Sequence, residues 1–444
     1  GRQVLSPAPT DYQKNVKYNS FAVGDLLEPG DNALGVLLGN GRYHTMRQHY
    51  KPYKIKNFGY PKLLLNLVIR YTDGSTEVIS TNDSWKGTAD GPIRSNNEYD
   101  GEIYDARKEF VDWSVPGFDD SNWLPAEYVQ EPGGAYEAQV NENMAVMDTL
   151  SPMTIKALRP GVYIMDMGQN MTGWLKIRVQ GASGTTVMLR FAESLQADGS
   201  LFTENLRDAL ATDQYTLRGG GVEEWQPAFV YHGFRYVELT GYTGTPDPED
   251  FKGMVVYDGI PATGSFHSSD TLLNRIYAAA LWSVNGNYKG MPVDCPQRDE
   301  RQPWLGDRAT VCYGESFLFD HSRLYAKWLD DIKHTQRDDG SIADVAPAYF
   351  MYYSDNMTWA GTYLLVAEML YRQYGDLRSV RKHYPNMKKW LGYMKQRYEE
   401  DGIMTKDSYG DWCPPPVTIE AGRGKSANVK HPSVLISTAY YFHY

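Results

Sequence analysis

Near Pro261 the spacing of apolar residues changes period, and that change dictates the class of fold. Upstream, short apolar or alternating runs are separated by Gly, Pro, Asn and Asp, the pattern of β-strands joined by turns. Downstream, Leu273, Ile276, Tyr277, Ala280, Leu281 and Val284 fall on one face of a helix with 3.6 residues per turn. A chain of 444 residues is too long for one hydrophobic core, because cores stop growing at roughly 250–300 residues. The expectation is a β region of more than one domain followed by a helical domain.

Within the β region, the run LLLNLVIRYTDGSTEVIST (residues 63–81) places Asp73 and Gly74 between two strand-like segments. That pair suits a tight primed hairpin turn. Further strands are expected at residues 33–38, 174–179, 186–191 and 234–239. Residues 116–134 are polar and punctuated by Pro and Gly, which marks a boundary near residue 140. Beyond the first helix, others are expected at about 307–335, 357–374, 377–400 and 432–444. The last of these still carries aromatic residues at Tyr444 without a capping Gly, so the helical domain is expected to continue past that point.

Charge and composition narrow the function. With 44 Lys and Arg against 55 Asp and Glu, the net charge of −11 disfavours nucleic acid and anionic lipid as partners. The richest apolar stretch, residues 63–68, is interrupted by Asn66 and followed by Arg70, far short of the ~20 residues a membrane span requires. Cys295, Cys312 and Cys413 form no CxxC pair, which suggests neither a zinc knuckle nor a disulfide framework and leaves the compartment open. Aromatic residues make up 13% of the chain, more than packing alone needs, so some are expected to line a binding surface. No GxSxG elbow, HExxH helix, Walker loop or GxGxxG turn is present.

One segment stands apart: PVDCPQRDERQPWLGDR, residues 292–308. Its Pro292, Pro296, Pro303 and Gly306 prevent a regular helix, so Asp294, Arg298, Asp299, Glu300, Arg301 and Asp307 are expected on a loop. A solvated loop of surface ion pairs would use the same residue types, each pair contributing little. Cys295, Trp304 and Leu305 are interleaved with the charges, however, which implies partial burial, where unpaired charge is costly. Sugar hydrolysis gives such charges a purpose: one carboxyl protonates the departing oxygen, others with an Arg hold hydroxyls, and a ring covers the apolar face.

The fourteen residues DCPQRDERQPWLGD, 294–307, closely resemble the signature of the bacterial α-L-rhamnosidases of glycoside hydrolase family 78. GPI and EYDGEIYDAR (residues 98–107) resemble that family's N-terminal β domain; DMGQNMTGW (166–174) and FVYHGFRYVEL (229–239) resemble its second. The resemblance implies a multidomain chain. A β-sandwich over residues 1–140 and a second, concanavalin-like β-sandwich over 141–260, both antiparallel, would precede the first part of an (α/α)6 six-hairpin barrel over 261–444. It further implies an inverting hydrolase releasing terminal α-L-rhamnose from rhamnose-containing glycosides or polysaccharides, with no metal or other cofactor.

Carried over residue by residue, the resemblance makes Glu300 the general acid. It assigns sugar-binding roles to Asp294, Asp307 and Arg298 and a stacking role to Trp304, with Trp359 (in MTWAG) and Trp412 (in GDW) as further walls. Rhamnose carries a methyl group at C6, which rewards aromatic contact. Here Gln302-Pro303-Trp304-Leu305-Gly306-Asp307 replaces the family's more usual Gly-Trp-Thr-Gly-Asp, which stiffens the loop and implies a shifted substrate preference.

Inversion also needs a second carboxylate about 6.5–9.5 Å from the first, with room for a water between them. The resemblance places that base beyond Tyr444; within the chain, Asp411 and Glu420 are fallbacks. Tyr99, Tyr104 and Trp174 alternate with apolar residues and are expected in sandwich cores. Three rival readings stay open: an (α/α)6 glycosidase for another sugar, a lyase on the same scaffold, and a non-catalytic carbohydrate-binding protein.

Overall fold

The structure, a computed structural model, describes residues 4–45, 56–410 and 433–444. The change of period at Pro261 is a change of architecture: strands dominate before it and helices after it. The largest sheet has 11 strands, centred on the 19-residue strand Val162–Gln180. That strand pairs through its first half with His232–Thr240 and through its second with Phe251–Asp258. It changes register between Asp166 and Met171, where Gly168 takes φ +76°. One such irregularity lets a single strand serve two sets of neighbours.

The sheet does not stop near residue 140. Ile93–Asn97 and Gly101–Asp105 join one side of it, the latter running parallel to Thr212–Thr216, and Val4–Leu5 pairs with Met144–Leu150 on the other. A second parallel pairing links Asn15–Tyr18 to Ala135–Ala138, so the strands are not uniformly antiparallel. Inward residues such as Met165, Leu175, Ile177, Phe191, Phe234, Val237 and Phe251 form the core here. Trp174 is 1% and Tyr99 4% exposed, and Tyr104 packs against the same core, as their alternation predicts.

Two expectations in this region need correction. Asn66–Arg70 and Thr76–Ser80 do form a hairpin, but Tyr71 pairs with Ser75 across a three-residue loop. Gly74 N–H donates to Tyr71 O with φ +89°, the turn-plus-bulge solution in place of a two-residue primed turn. Residues 33–38 form no strand. Gly35 lies against the Trp113 ring, where a β-carbon would come within 2.3 Å, so this apolar segment meets a loop aromatic rather than a sheet edge.

Among the described residues, the helical part is more broken than its periodicity suggests. In place of one helix over 307–335 there are three: Leu305–Ala309, Cys312–Ser316 and Ser322–Thr335. Between the last two the chain turns aside to hydrogen bond residues 261–263, through Asp320 N–H to Pro261 O and Thr263 N–H to Leu318 O. The expected 357–374 helix divides at Gly361 into Met357–Ala360 and Thr362–Tyr374; Gly361 is where the Tyr444 ring packs. Leu377–Tyr398 and Ser433–His443 lie where the period places them.

A second core, including Leu305, Tyr325, Trp328, Trp359, Tyr363 and Trp390, holds these helices together. Thr271–Gly286 packs lightly, leaving Leu272, Leu273 and Ile276 exposed. Its predicted apolar face is real but mostly uncovered.

Candidate active site

The charged loop between Thr271–Gly286 and Leu305–Ala309 is closed on itself. Asp294 N–H donates to Gln302 O at 2.9 Å, and Gln302 N–H donates back to Asp294 Oδ1 at 2.6 Å. This pair of bonds bends residues 294–302 into a tight lobe, and beside the closure Arg301 takes a left-handed φ of +48°. Strain of that kind persists only where surrounding contacts enforce it.

Those contacts come from the β region. The Arg301 side chain is fully buried; it donates to Tyr231 O at 2.9 Å, to Arg298 O at 3.0 Å and to Glu98 O. Its guanidinium lies 4.9 Å from the Tyr231 ring and 5.4 Å from that of Tyr99. Arg42, paired with Glu98 at 2.6 Å, donates to Arg301 O. Gly233 lets the sheet approach: a β-carbon there would come within 2.9 Å of Pro296 and Gln297. The segments 98–107 and 229–239 thus clamp the loop.

Four of the expected site residues form one bonded cluster. Arg298 Nη2 lies 3.2 Å from Asp294 Oδ2 and 3.0 Å from Glu300 Oε2, bridging the two carboxylates. The Trp304 indole N–H donates to Glu300 Oε1 at 3.0 Å. Both acids are nearly withdrawn from solvent, with side-chain exposures of 5% for Asp294 and 9% for Glu300. Burial, reinforced by the charge of Glu300, pushes the Asp294 carboxyl up to about 6.

Asp307 sits in the first turn of Leu305–Ala309 rather than on irregular loop, a placement that suits a negative charge. Its carboxylate reaches solvent, yet the protein around it still raises its pKa by desolvation, with Arg308 opposing.

Trp304 is half-buried and edge-on to Phe350 and Tyr352, at 5.7 and 6.4 Å between centroids. Backbone bonds fix it: Leu305 N–H donates to Asp344 O, and Ala346 N–H to Pro303 O. Trp359 touches the same segment at Gly306, where a β-carbon would come within 2.2 Å of its ring. It is only 7% exposed and lies tilted against Tyr409, 4.2 Å between centroids, so it braces Gly306 more than it offers an open face. Trp412, with Asp411 and Glu420, lies outside the described residues.

Asp294, Cys295 and Glu300 bring ligand-type atoms within 4.8 Å of one another. Arg298 pairs with both carboxylates, and burial raises the Cys295 thiol well above its ordinary value.

One contributor has no signal in the motif. Arg207, from the loop that follows Glu204–Leu206, reaches Glu300 Oε2 at 2.8 Å and comes within 4.0 Å of Asp299.

The structure thus displays a carboxyl, an arginine and an indole in one cluster that the sheet clamps. Comparison with known proteins gives the family. Residues 1–148 match the alpha-L-rhamnosidase N-terminal domain, 156–257 the bacterial alpha-L-rhamnosidase concanavalin-like domain, and 261–444 the bacterial alpha-L-rhamnosidase 6 hairpin glycosidase domain. The chain belongs to the bacterial α-L-rhamnosidase family.

An α-L-rhamnosidase of Streptomyces avermitilis is 36% identical over the whole chain, which spans 42% of that protein. One from Formosa agariphila is 33% identical over 99% of the chain and 47% of its own length. The solved α-L-rhamnosidase from Dictyoglumus thermophilum superposes on all of the chain with a TM-score of 0.92 at 40% identity, the match covering 48% of it. The Streptomyces avermitilis enzyme solved with L-rhamnose gives 0.91 at 34%, with 42% of its length covered. The chain therefore spans less than half the length of these relatives.

Proposed function

We propose that this chain supplies the substrate-holding and proton-donating half of an enzyme that hydrolyses terminal α-L-rhamnosides with inversion. The observation that carries this reading is the bonded set Asp294–Arg298–Glu300–Trp304, buried at the base of a loop the β region holds rigid. Within it, Glu300 protonates the glycosidic oxygen as the bond to the anomeric carbon breaks. Asp294, Arg298 and Asp307 hold ring hydroxyls. Trp304 presents its ring to the apolar side of the sugar, with Trp412 as a further wall, while Trp359 braces the loop at Gly306.

The likeness to an enzyme solved with L-rhamnose supports rhamnose as the sugar. Rhamnose-containing glycosides or polysaccharides are then the substrates. The second carboxylate, which activates water on the opposite face, is assigned to a later part of the barrel. In this reading residues 1–140 and 141–260 are two β-sandwich domains, and residues 261–444 form the first half of an (α/α)6 barrel. No helix among the described residues is long and apolar enough to cross a membrane.

A panel of aryl glycosides tests this, with the anomer first released followed by NMR. The natural polypeptide containing this chain is expected to cleave the α-L-rhamnoside and to release the β-anomer first. Cleavage of a different sugar in preference overturns the sugar assignment, retention overturns the mechanism, and binding without cleavage makes the protein a lectin-like relative.

A further inference from the structure

One hydrogen-bond donor and two guanidinium ion pairs meet the Glu300 carboxyl, and one of the arginines arrives from a different part of the chain. Trp304 holds Oε1. Arg298 and Arg207 both hold Oε2, at 3.0 and 2.8 Å. Arg298 divides its guanidinium between Glu300 and Asp294, whereas Arg207 approaches from the β region and is 41% exposed.

The backbone that delivers Arg207 is under strain. Its φ of 58° and ψ of −118° form a combination that residues bearing a β-carbon seldom adopt. The loop around it is pinned on both sides. Leu206, Ala209 and Ala211 are buried, Ala211 N–H donates to Tyr99 O, and Leu210 N–H donates to Asp100 Oδ1. A residue forced into an unfavourable conformation by well-anchored neighbours, with its side chain aimed at a buried carboxyl, is placed there by the rest of the fold.

We infer that Arg207 is a positioning residue for the proton donor, an inference that rests on Glu300 being the general acid. With Trp304 on one oxygen and Arg207 on the other, the plane of the carboxyl is fixed from two sides. A general acid gains rate only when its proton points at the leaving oxygen. Arg207 therefore acts on protonation of the leaving group and leaves the grip on the sugar to Asp294 and Arg298.

Leaving-group dependence tests this in the natural polypeptide. Glu300→Gln, Arg207→Gln and Arg207→Lys are compared on an alkyl α-L-rhamnoside, which departs only when protonated, and on the 2,4-dinitrophenyl rhamnoside, which departs unaided. Arg207→Gln is expected to lower kcat on the alkyl substrate by roughly 10- to 100-fold, part of what a general acid contributes. KM and the rate on the dinitrophenyl substrate should change little, and Arg207→Lys should recover part of the loss.

Equal losses on both substrates mean that Arg207 merely supports the fold, and no loss on either means that the contact is idle; both overturn the inference. Glu300→Gln separates the two layers. If it shows the leaving-group pattern and Arg207→Gln does not, only the inference falls. If Glu300→Gln lacks the pattern, the assignment of the acid falls and the inference with it.

Discussion

Trp304 Nε1 lies 3.0 Å from Glu300 Oε1, so the indole and the carboxyl are joined by a hydrogen bond across one turn of the loop. Replacing Trp304 with Phe keeps an aromatic face beside Phe350 and deletes the donor. A hydrogen bond between neutral groups contributes about 0.5–1.5 kcal/mol. If that restraint holds the acid in its reactive orientation, kcat falls roughly two- to tenfold, since ~1.4 kcal/mol is a factor of ten in rate. Steady-state kinetics on an alkyl rhamnoside check this, and an unchanged kcat shows the bond to be incidental.

Arg301 is fully buried and ties three segments together by donating to Glu98 O, Tyr231 O and Arg298 O. Lysine keeps the charge but presents a single nitrogen, which cannot span all three. At least one buried carbonyl would lose its donor, at about 1–3 kcal/mol each. Arg301→Lys is therefore expected to lower stability by at least about 1 kcal/mol, as read by urea unfolding. A midpoint equal to wild type would mean that the lobe does not depend on its clamp.

Gly306 is the contact point between the loop and Trp359, where an added β-carbon would sit 2.2 Å from Cε2 and 2.3 Å from Cδ2 of the ring. Trp359 belongs to the packed helical core and has little room to retreat. Overpacking of this kind costs about 1–3 kcal/mol. Gly306→Ala should lower the melting temperature and, by displacing Trp304 and Asp307 on either side, weaken rhamnose binding as well. Unchanged affinity together with a lowered melting temperature would separate the core from the site.

Glu102 is fully buried in the sheet region, its carboxylate accepting Ala228 N–H at 3.1 Å and Phe229 N–H at 3.3 Å. Burial nonetheless raises its pKa from 4.5 to about 8, with nearby Asp213 adding to the rise. Between those values the folded protein retains a proton that the unfolded chain releases, so this group's contribution to stability declines as pH rises from about 4.5 to about 8. Glu102→Gln carries no such titration. The variant should therefore gain on wild type between pH 5 and pH 8 in denaturant midpoints, and a constant difference would show that Glu102 is ionised throughout.

How much of this was legible beforehand differs by level. The change of period at Pro261 and the amphipathic spacing fixed the order of sheets and helices, because burial acts on side chains at regular intervals. Breaks inside helices were not legible: Gly361 yields to the Tyr444 ring and residues 318–320 bond the distant 261–263 segment, both tertiary events. The strand expected at 33–38 failed for the same kind of reason: Gly35 meets Trp113 from another loop, while Leu34, Leu37 and Leu38 stay exposed.

At the site, the compact motif exposed Asp294, Arg298, Glu300 and Trp304, since all four lie within eleven consecutive residues. Arg207, Arg42 and Tyr231 act on that loop from far away in sequence and carry no local pattern. Their signals are indirect. Non-glycine residues with left-handed backbone, at Arg207 and Arg301, become visible only in three dimensions.

The assignment of Glu300 as proton donor is tested most directly by Glu300→Gln in the natural polypeptide, with L-rhamnose binding measured by calorimetry beside hydrolysis of an alkyl rhamnoside. Glutamine retains the acceptor for the Trp304 indole but cannot donate an acidic proton. Rhamnose affinity should stay close to wild type while hydrolysis falls by roughly 10²–10⁴-fold. Hydrolysis near the wild-type rate would contradict the account.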